Sequence, residues 1–179
     1  GVTLPNRLCK AAMTEGVADD HLHATARHAT LYKRWSDGGA GLLLTGNVQI
    51  DRRVLERPGN VAIDPAPASG DAEGMAQLKA WAAAGTANGN QLWMQISHAG
   101  RQTPGEINSA PLAPSNIGLK IPGRNYGTPQ PMTEEDILDV IDRFVFTAKI
   151  ARETGFTGVQ FHSAHGYLLS EFLSPDINT

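Results

Sequence analysis

Four short, largely apolar runs recur along the chain, at 8–13, 41–45, 91–96 and 158–161, and none is long enough to make a helix of its own. Between them lie stretches whose apolar residues return every three or four positions. A brief continuous apolar run is how a strand buried on both faces of a parallel sheet reads, and parallel strands alternating with amphipathic helices are joined by right-handed crossovers. The chain is therefore expected to be an α/β protein with a parallel sheet. A doubly wound sheet and part of a (β/α)8 barrel both satisfy this pattern. In either, ligands sit off the carboxyl ends of the strands.

The first run, Leu8-Cys9-Lys10-Ala11-Ala12-Met13, is bounded by Thr14-Glu15-Gly16 and reads as a buried strand with Cys9 packed inside it. Its small residues leave room for something flat against the backbone. Thr25 can cap a helix whose His28, Leu31, Tyr32 and Trp35 share one face and which stops at Gly38-Gly39. Gly41-Leu42-Leu43-Leu44-Thr45 is the second strand, ended by Gly46-Asn47, and a helix is expected from Asp71 to Ala84 with Met75, Leu78 and Ala82 on one face. In the third strand, Gln91 to Ile96, the amide of Gln95 lies near the carboxyl end and must find a partner if buried. Thr133-Glu134-Glu135-Asp136 resembles a capping box. It opens the clearest amphipathic segment, with Ile137, Val140, Ile141, Phe144, Val145, Ala148 and Ala151 at helical spacing up to Gly155. Two proline-rich segments, Val48 to Gly70 and Gln102 to Met132, read as long loops, which are more often functional than idle.

A net charge of −3 gives no basic footprint for nucleic acid or an anionic membrane, and no apolar stretch approaches the ~18 residues of a membrane span. A single cysteine rules out an internal disulfide and a cysteine-based metal site, which fits a reducing, cytoplasmic setting. His21 and His23 lie in a polar loop with no carboxylate or cysteine at ligand spacing, so they read as solvated rather than as metal ligands. No G-x-G-x-x-G or G-x-x-x-x-G-K follows any of the runs, which removes the main support for a dinucleotide fold or a P-loop.

The densest chemistry follows the last run: His162-Ser163-Ala164-His165-Gly166-Tyr167 sets two imidazoles and a phenol where a strand meets a Gly-marked turn. On spacing alone the set reads equally as a core histidine, a turn residue and a packing aromatic. The rest of the chain shifts the balance. Pro5-Asn6-Arg7 leading to Ala12-Met13-Thr14, then Leu44-Thr45-Gly46, Gln95-Ile96-Ser97-His98-Ala99-Gly100-Arg101, Ala113-Pro114-Ser115, and the run from His162 through Leu168-Leu169-Ser170-Glu171-Phe172-Leu173-Ser174-Pro175 together resemble the Old Yellow Enzyme family of NAD(P)H:flavin oxidoreductases. The resemblance runs in order over nearly the whole chain, and its last motif is specific.

The resemblance implies a (β/α)8 barrel with FMN across the carboxyl ends of the strands, of which residues 1–179 supply, as one domain, about the first four βα units. It implies that Ala11, Ala12 and Met13 form the backbone against which the flavin rests and that Thr14 lies near the flavin C4 carbonyl. Some branches have Cys where Thr14 stands here, so cysteine tuning of the flavin is not expected. Gly46 and Asn47 fall near the ring, Asn47 in place of a small residue, and Gln95 resembles the glutamine of the pyrimidine edge. His162 and His165 match the pair that holds the oxygen of the substrate's activating group, His162 also lining the flavin, and Tyr167 matches the proton donor. The implied reaction is reduction of an activated alkene (an enone, nitroalkene or dienoyl compound) with FMN as cofactor and NADH or NADPH as reductant. Self-association into a homo-oligomer stays open.

Two other readings compete. A metal-dependent barrel hydrolase built on His162 and His165 would need carboxylates at the other strand ends, where Thr14, Gly46-Asn47 and Gln95 stand instead. A non-catalytic or cropped half-barrel would keep the family's sequence without its activity, and a colourless sample would mark it. The chain opens on Gly1 and stops at Pro175-Asp176-Ile177-Asn178-Thr179, so both ends are expected to be cut and the flavin phosphate to lack a cradle here.

Overall fold

The computed structural model of the chain describes residues 1–65 and 71–179; the end of the first proline-rich loop, with Pro67 and Gly70, lies outside the described residues. In chain order the elements are β1 (Cys9–Lys10), α1 (Ala26–Asp37), β2 (Leu42–Gln49), α2 (Ala72–Gly85), β3 (Gln91–Ser97), a 3-10 turn (Gly100–Gln102), β4 (Leu112–Ala113), β5 (Gln130–Pro131), α3 (Glu134–Thr154), β6 (Gly158–Phe161) and α4 (Leu168–Phe172). Four strands pair in the order β1-β2-β3-β6, all parallel. Each crossover steps to the next position on the same side. A doubly wound sheet reverses its order, whereas a barrel progresses in one direction, so this is the first half of a (β/α)8 barrel.

The helices begin and end where the caps dictate. Thr25 N donates to the Nδ1 of His28 (3.0 Å), Gly74 N donates to the Asp71 carboxylate (2.8 Å), and Thr133 and Asp136 exchange bonds in a capping box, Thr133 N donating at 2.8 Å and Asp136 N at 3.2 Å. Gly155 closes α3 at φ 99°, a left-handed conformation that glycine adopts without a Cβ penalty. The core lies between the sheet and α1, α2 and α3. There the fully buried Trp81 meets Tyr32 (5.2 Å between ring centroids) and Phe156 (5.4 Å) edge-on, over Leu43, Leu92, Met94 and Ile96.

The structure corrects the sequence reading in four places. β1 is only two residues long and Cys9 is exposed, not packed. Among the described residues β1 pairs with β2 alone and is the outer strand of the sheet. β2 does not end at Gly46-Asn47 but continues through both to Gln49, because the register skips between Leu44 and Asn47 and the strand absorbs an extra residue as a bulge. The apolar face of α3 is divided: Val140, Phe144 and Ala151 are buried, while Ile141 and Val145 are exposed beside the exposed Phe161, since the sheet stops at β6 and leaves that flank uncovered. Within the second proline-rich loop, β4 and β5 form a short parallel ladder, Leu112 opposite Gln130.

Candidate functional site

The chain leaving β1 lies across the bulge of β2 in close contact. A Cβ on Gly46 would come within 2.5 Å of the Met13 carbonyl oxygen and 2.8 Å of Thr14 Cα, so only glycine lets the 13–15 segment settle there. The contact is fixed by Glu15, whose carboxylate accepts from Gly46 N (2.9 Å) and from the Tyr32 hydroxyl. Lys10 completes the set, donating to the Leu44 carbonyl (2.6 Å) with its ammonium 4.3 Å from the centroid of the Trp35 ring. Burial pushes the Lys10 ammonium down to about 8, and burial together with Glu15 drives the Tyr32 phenol far above its ordinary range. The result is a braced ledge, Ala11 to Thr14, with Ala11 and Met13 exposed and Ala12 and Thr14 half-buried.

Beside the ledge runs a row of amides. The ladder places Asn47 opposite Gln95 and Gln95 opposite Gln160, one from each of β2, β3 and β6. Gln95 donates to the Gln160 carbonyl oxygen (2.8 Å), which leaves the Gln95 carbonyl and the Gln160 amide N–H groups without partners among the described residues. Asn47 is buried, and its Oδ1 accepts from Thr14 Oγ1 (2.8 Å) and from Asn60 Nδ2 (3.3 Å). Glu56 stands behind Thr14, 3.4 Å from its hydroxyl, and is paired with Arg57 (2.7 Å).

His162 follows Gln160 by two residues and therefore faces the same side of the sheet. It is buried, its backbone N–H extends the ladder to the Ile96 carbonyl (3.0 Å), and its ring lies edge-on to His165 (5.2 Å) and Tyr167 (4.8 Å). His165 is exposed, while Tyr167 is half-buried and stands at the position just before α4. Burial, and then the neighbouring His165, lowers the His162 pKa, so this ring is neutral at pH 7. Ala164 N points at His162 Nδ1 (3.4 Å), which leaves the ring proton on Nε2 as a donor. Burial also pushes the Tyr167 phenol up to about 12, helped by Glu56 and opposed by Arg57, so the phenol keeps its proton.

The sequence-named residues thus come together in two groups, Thr14 with Gly46 and Asn47, and His162 with His165 and Tyr167, with Gln95 in register between them. Gln160, Glu15, Glu56 and Asn60 escape a sequence reading, although Gln160 carries the same signal as Gln95, an amide inside an apolar strand. His23, read as solvated, is instead paired with the Asp71 carboxylate (3.0 Å), a partner that lies far along the chain at the cap of α2. Among the described residues no three His, Cys, Asp or Glu side chains gather as a metal site, and no helix is long and apolar enough to cross a membrane.

A four-stranded parallel half-barrel that collects polar side chains at the carboxyl ends of its strands is part of an α/β-barrel protein. Over its whole length, residues 1–179, the chain matches the NADH:flavin oxidoreductase / NADH oxidase family, and it belongs to that family. It is 37% identical over 183 residues to the NADH-dependent flavin oxidoreductase nadA of Aspergillus parasiticus, a match that takes in 97% of this chain and 41% of that protein. To the NADH-dependent flavin oxidoreductase iliE of a Neonectria species it is 35% identical over 192 residues, covering 99% of this chain and 25% of that one. Among solved structures, the old yellow enzyme homologue from Zymomonas mobilis aligns with a TM-score of 0.85 at 27% identity, over 99% of this chain and 50% of the other. The chain spans between a quarter and a half of the length of these relatives.

Proposed function

We propose that residues 1–179 form, as one domain, the half of an FMN-dependent NAD(P)H oxidoreductase that carries the substrate-activating residues, and that the substrate is an alkene made electron-poor by a carbonyl or nitro group. FMN, when bound, would supply the hydride, from NADH or NADPH as reductant. The residues present fit its ring: the open Gln95 carbonyl and Gln160 N–H groups complement the carbonyls and imide N–H of a flavin pyrimidine edge. Ala11 to Met13 would hold the ring against their backbone, with Thr14 and Asn47 at its rim and Gly46 keeping the ledge in place.

The observation that carries the reading is the cluster at the end of β6. A neutral, buried His162 presents one N–H donor, His165 stands 5.2 Å away as the second, and Tyr167 stands 4.8 Å from His162. Negative charge grows on the activating oxygen as hydride reaches the β-carbon. Two N–H donors aimed at that oxygen stabilise it, and the loss of one such donor costs roughly 10²–10³ in rate. Tyr167, kept protonated by burial, hands its proton to the α-carbon.

The test is a titration of the complete, FMN-loaded protein with a phenol. A phenolate held between His162 and His165 should give a long-wavelength charge-transfer band, and the double variant His162→Ala/His165→Ala should lose it. An unchanged band in that variant removes the assignment.

A further inference from the structure

The turn that carries His165 and Tyr167 needs a left-handed backbone at two successive residues, only one of them a glycine. His165 sits at φ 61° and Gly166 at φ 75°. The first of these is a left-handed conformation that few residues with a Cβ adopt, and one that the surroundings must help to hold.

What helps to hold it lies on the neighbouring loop. The carboxamide Nε2 of Gln102 donates to the His165 carbonyl oxygen. A Cβ on Gly166 would lie 2.9 Å from that same Nε2, so Gly166 supplies both the left-handed backbone and the room for the Gln102 side chain. Gln102 is in turn held from behind. It ends the 3-10 turn after β3, its N–H donates to the Ala99 carbonyl (3.1 Å), and the turn is tied to α4 at two further points. Leu168 N donates to the His98 carbonyl (3.1 Å), and Arg101 N donates to the carboxylate of the fully buried Glu171 (3.0 Å). The His98–Gln102 loop therefore grips the segment at Glu171, at Leu168 and, through a side chain, at His165.

The geometry points to Gln102 as a positioning residue: its carboxamide holds the His165–Tyr167 turn in its left-handed form and so fixes where the second imidazole and the phenol stand relative to His162. Its importance for substrate rests on the function proposed above; the mechanical grip does not. Gln102 acts on the site through the His165 backbone carbonyl, without a hydrogen bond to either imidazole or the phenol among the described residues.

The experiment uses the complete FMN-loaded protein with three substitutions. Gln102→Leu keeps the bulk and removes the donor, Gln102→Glu turns an acceptor toward the His165 carbonyl, and Gln102→Lys restores a donor of similar reach. Amide hydrogen exchange is followed across 163–168, with β3 as the internal control. We expect exchange in that segment to rise about tenfold in the Leu and Glu variants and to return toward the parent rate in the Lys variant, with β3 unchanged. Exchange at the parent rate in both Leu and Glu variants overturns the inference, and so does a Lys variant that exchanges as fast as Leu. A phenol titration of the same proteins separates the two proposals. If His162→Ala/His165→Ala abolishes the charge-transfer band and Gln102→Leu weakens phenol binding about tenfold, both stand. A lost band in the double variant with parent-like phenol affinity in Gln102→Leu overturns the positioning role alone. A band that survives the double variant overturns the function while faster exchange in Gln102→Leu still upholds the grip.

Discussion

Gly46→Ala should damage both the fold and the site, and the structure gives the scale. The added Cβ would stand 2.5 Å from the Met13 carbonyl oxygen and 2.8 Å from Thr14 Cα, where ordinary contact begins near 3.4 Å. The Glu15 carboxylate oxygen that the Cβ would also meet can turn aside, but the Met13 oxygen and Thr14 Cα are backbone, so the 13–15 segment must lift by roughly 0.6–0.9 Å. Overpacking of this kind costs about 1–3 kcal/mol, and the lift also lengthens the 2.9 Å bond from Gly46 N to the Glu15 carboxylate. Loss of part of a charge-assisted bond brings the expected destabilisation to about 2–4 kcal/mol, a fall in Tm of roughly 5–15 °C for a domain of this size. Because the same segment is the ledge of the site, FMN affinity should fall along with it. Thermal unfolding and fluorescence titration with FMN, on the complete protein, measure the two effects. Gly118→Ala is the control, since its Cβ would meet only Pro129 at an ordinary 3.7 Å. A Gly46→Ala protein that melts with the parent and binds FMN equally well would refute the close-approach argument.

Three further outcomes are expected. Tyr167→Phe should slow the alkene-dependent half-reaction by roughly 10²–10⁴ and leave flavin reduction by NAD(P)H intact in stopped-flow; the opposite pattern would assign Tyr167 to the reductant instead. Burial raises the Glu171 carboxyl from its ordinary 4.5 to about 7, so the folded protein binds the extra proton between those values, and this stability is full below pH 4.5 and lost as pH rises through 7. Glu171→Gln should flatten that loss, worth up to ~3 kcal/mol, in denaturant titrations at pH 4.5 and 8, and parallel curves for variant and parent would contradict it. Among the described residues of the 179-residue chain, β1 and β6 are unpaired on their outer edges and Ile141, Val145 and Phe161 are exposed. Expressed by itself, the chain should self-associate in sedimentation and hold FMN weakly, whereas a monodisperse monomer keeping stoichiometric FMN through dialysis would show the half-barrel to be self-sufficient.

The features visible in the sequence are those with local causes. The Thr133/Asp136 box, the Gly155 stop and the apolar runs of β3 and β6 each depend on residues close together, and each forms where the sequence places it. The His162–Tyr167 motif is likewise local and ends up as one cluster. Gly46-Asn47 misleads because the same dipeptide signals a turn or a bulge, and the choice between them is made by a segment more than thirty residues away packing onto the glycine. The Tyr32–Glu15 and Thr14–Asn47 bonds have no sequence signature, since each joins residues that only the crossover brings together. β1 and the outer flank of α3 read as buried because their apolar residues are those of a closed barrel, while the described chain covers only one side of each.

That division has a physical reason. The ledge against which a flavin would rest is held by Lys10, Glu15 and Tyr32, the first two half-buried and Tyr32 fully buried at the edge of the core. Removing charges from water is costly unless they are paired and hydrogen-bonded, and here each has such partners: Glu15 has the Gly46 N–H and the Tyr32 hydroxyl, and Lys10 has the Leu44 carbonyl and the Trp35 face. The same Tyr32 packs edge-on against Trp81 in the centre of the core. A displacement of α1 therefore moves Tyr32, Tyr32 moves Glu15, and Glu15 moves the Met13–Thr14 backbone over Gly46. The position of the site is set by helix packing on the far side of β2, through a polar network whose members look unrelated in the sequence.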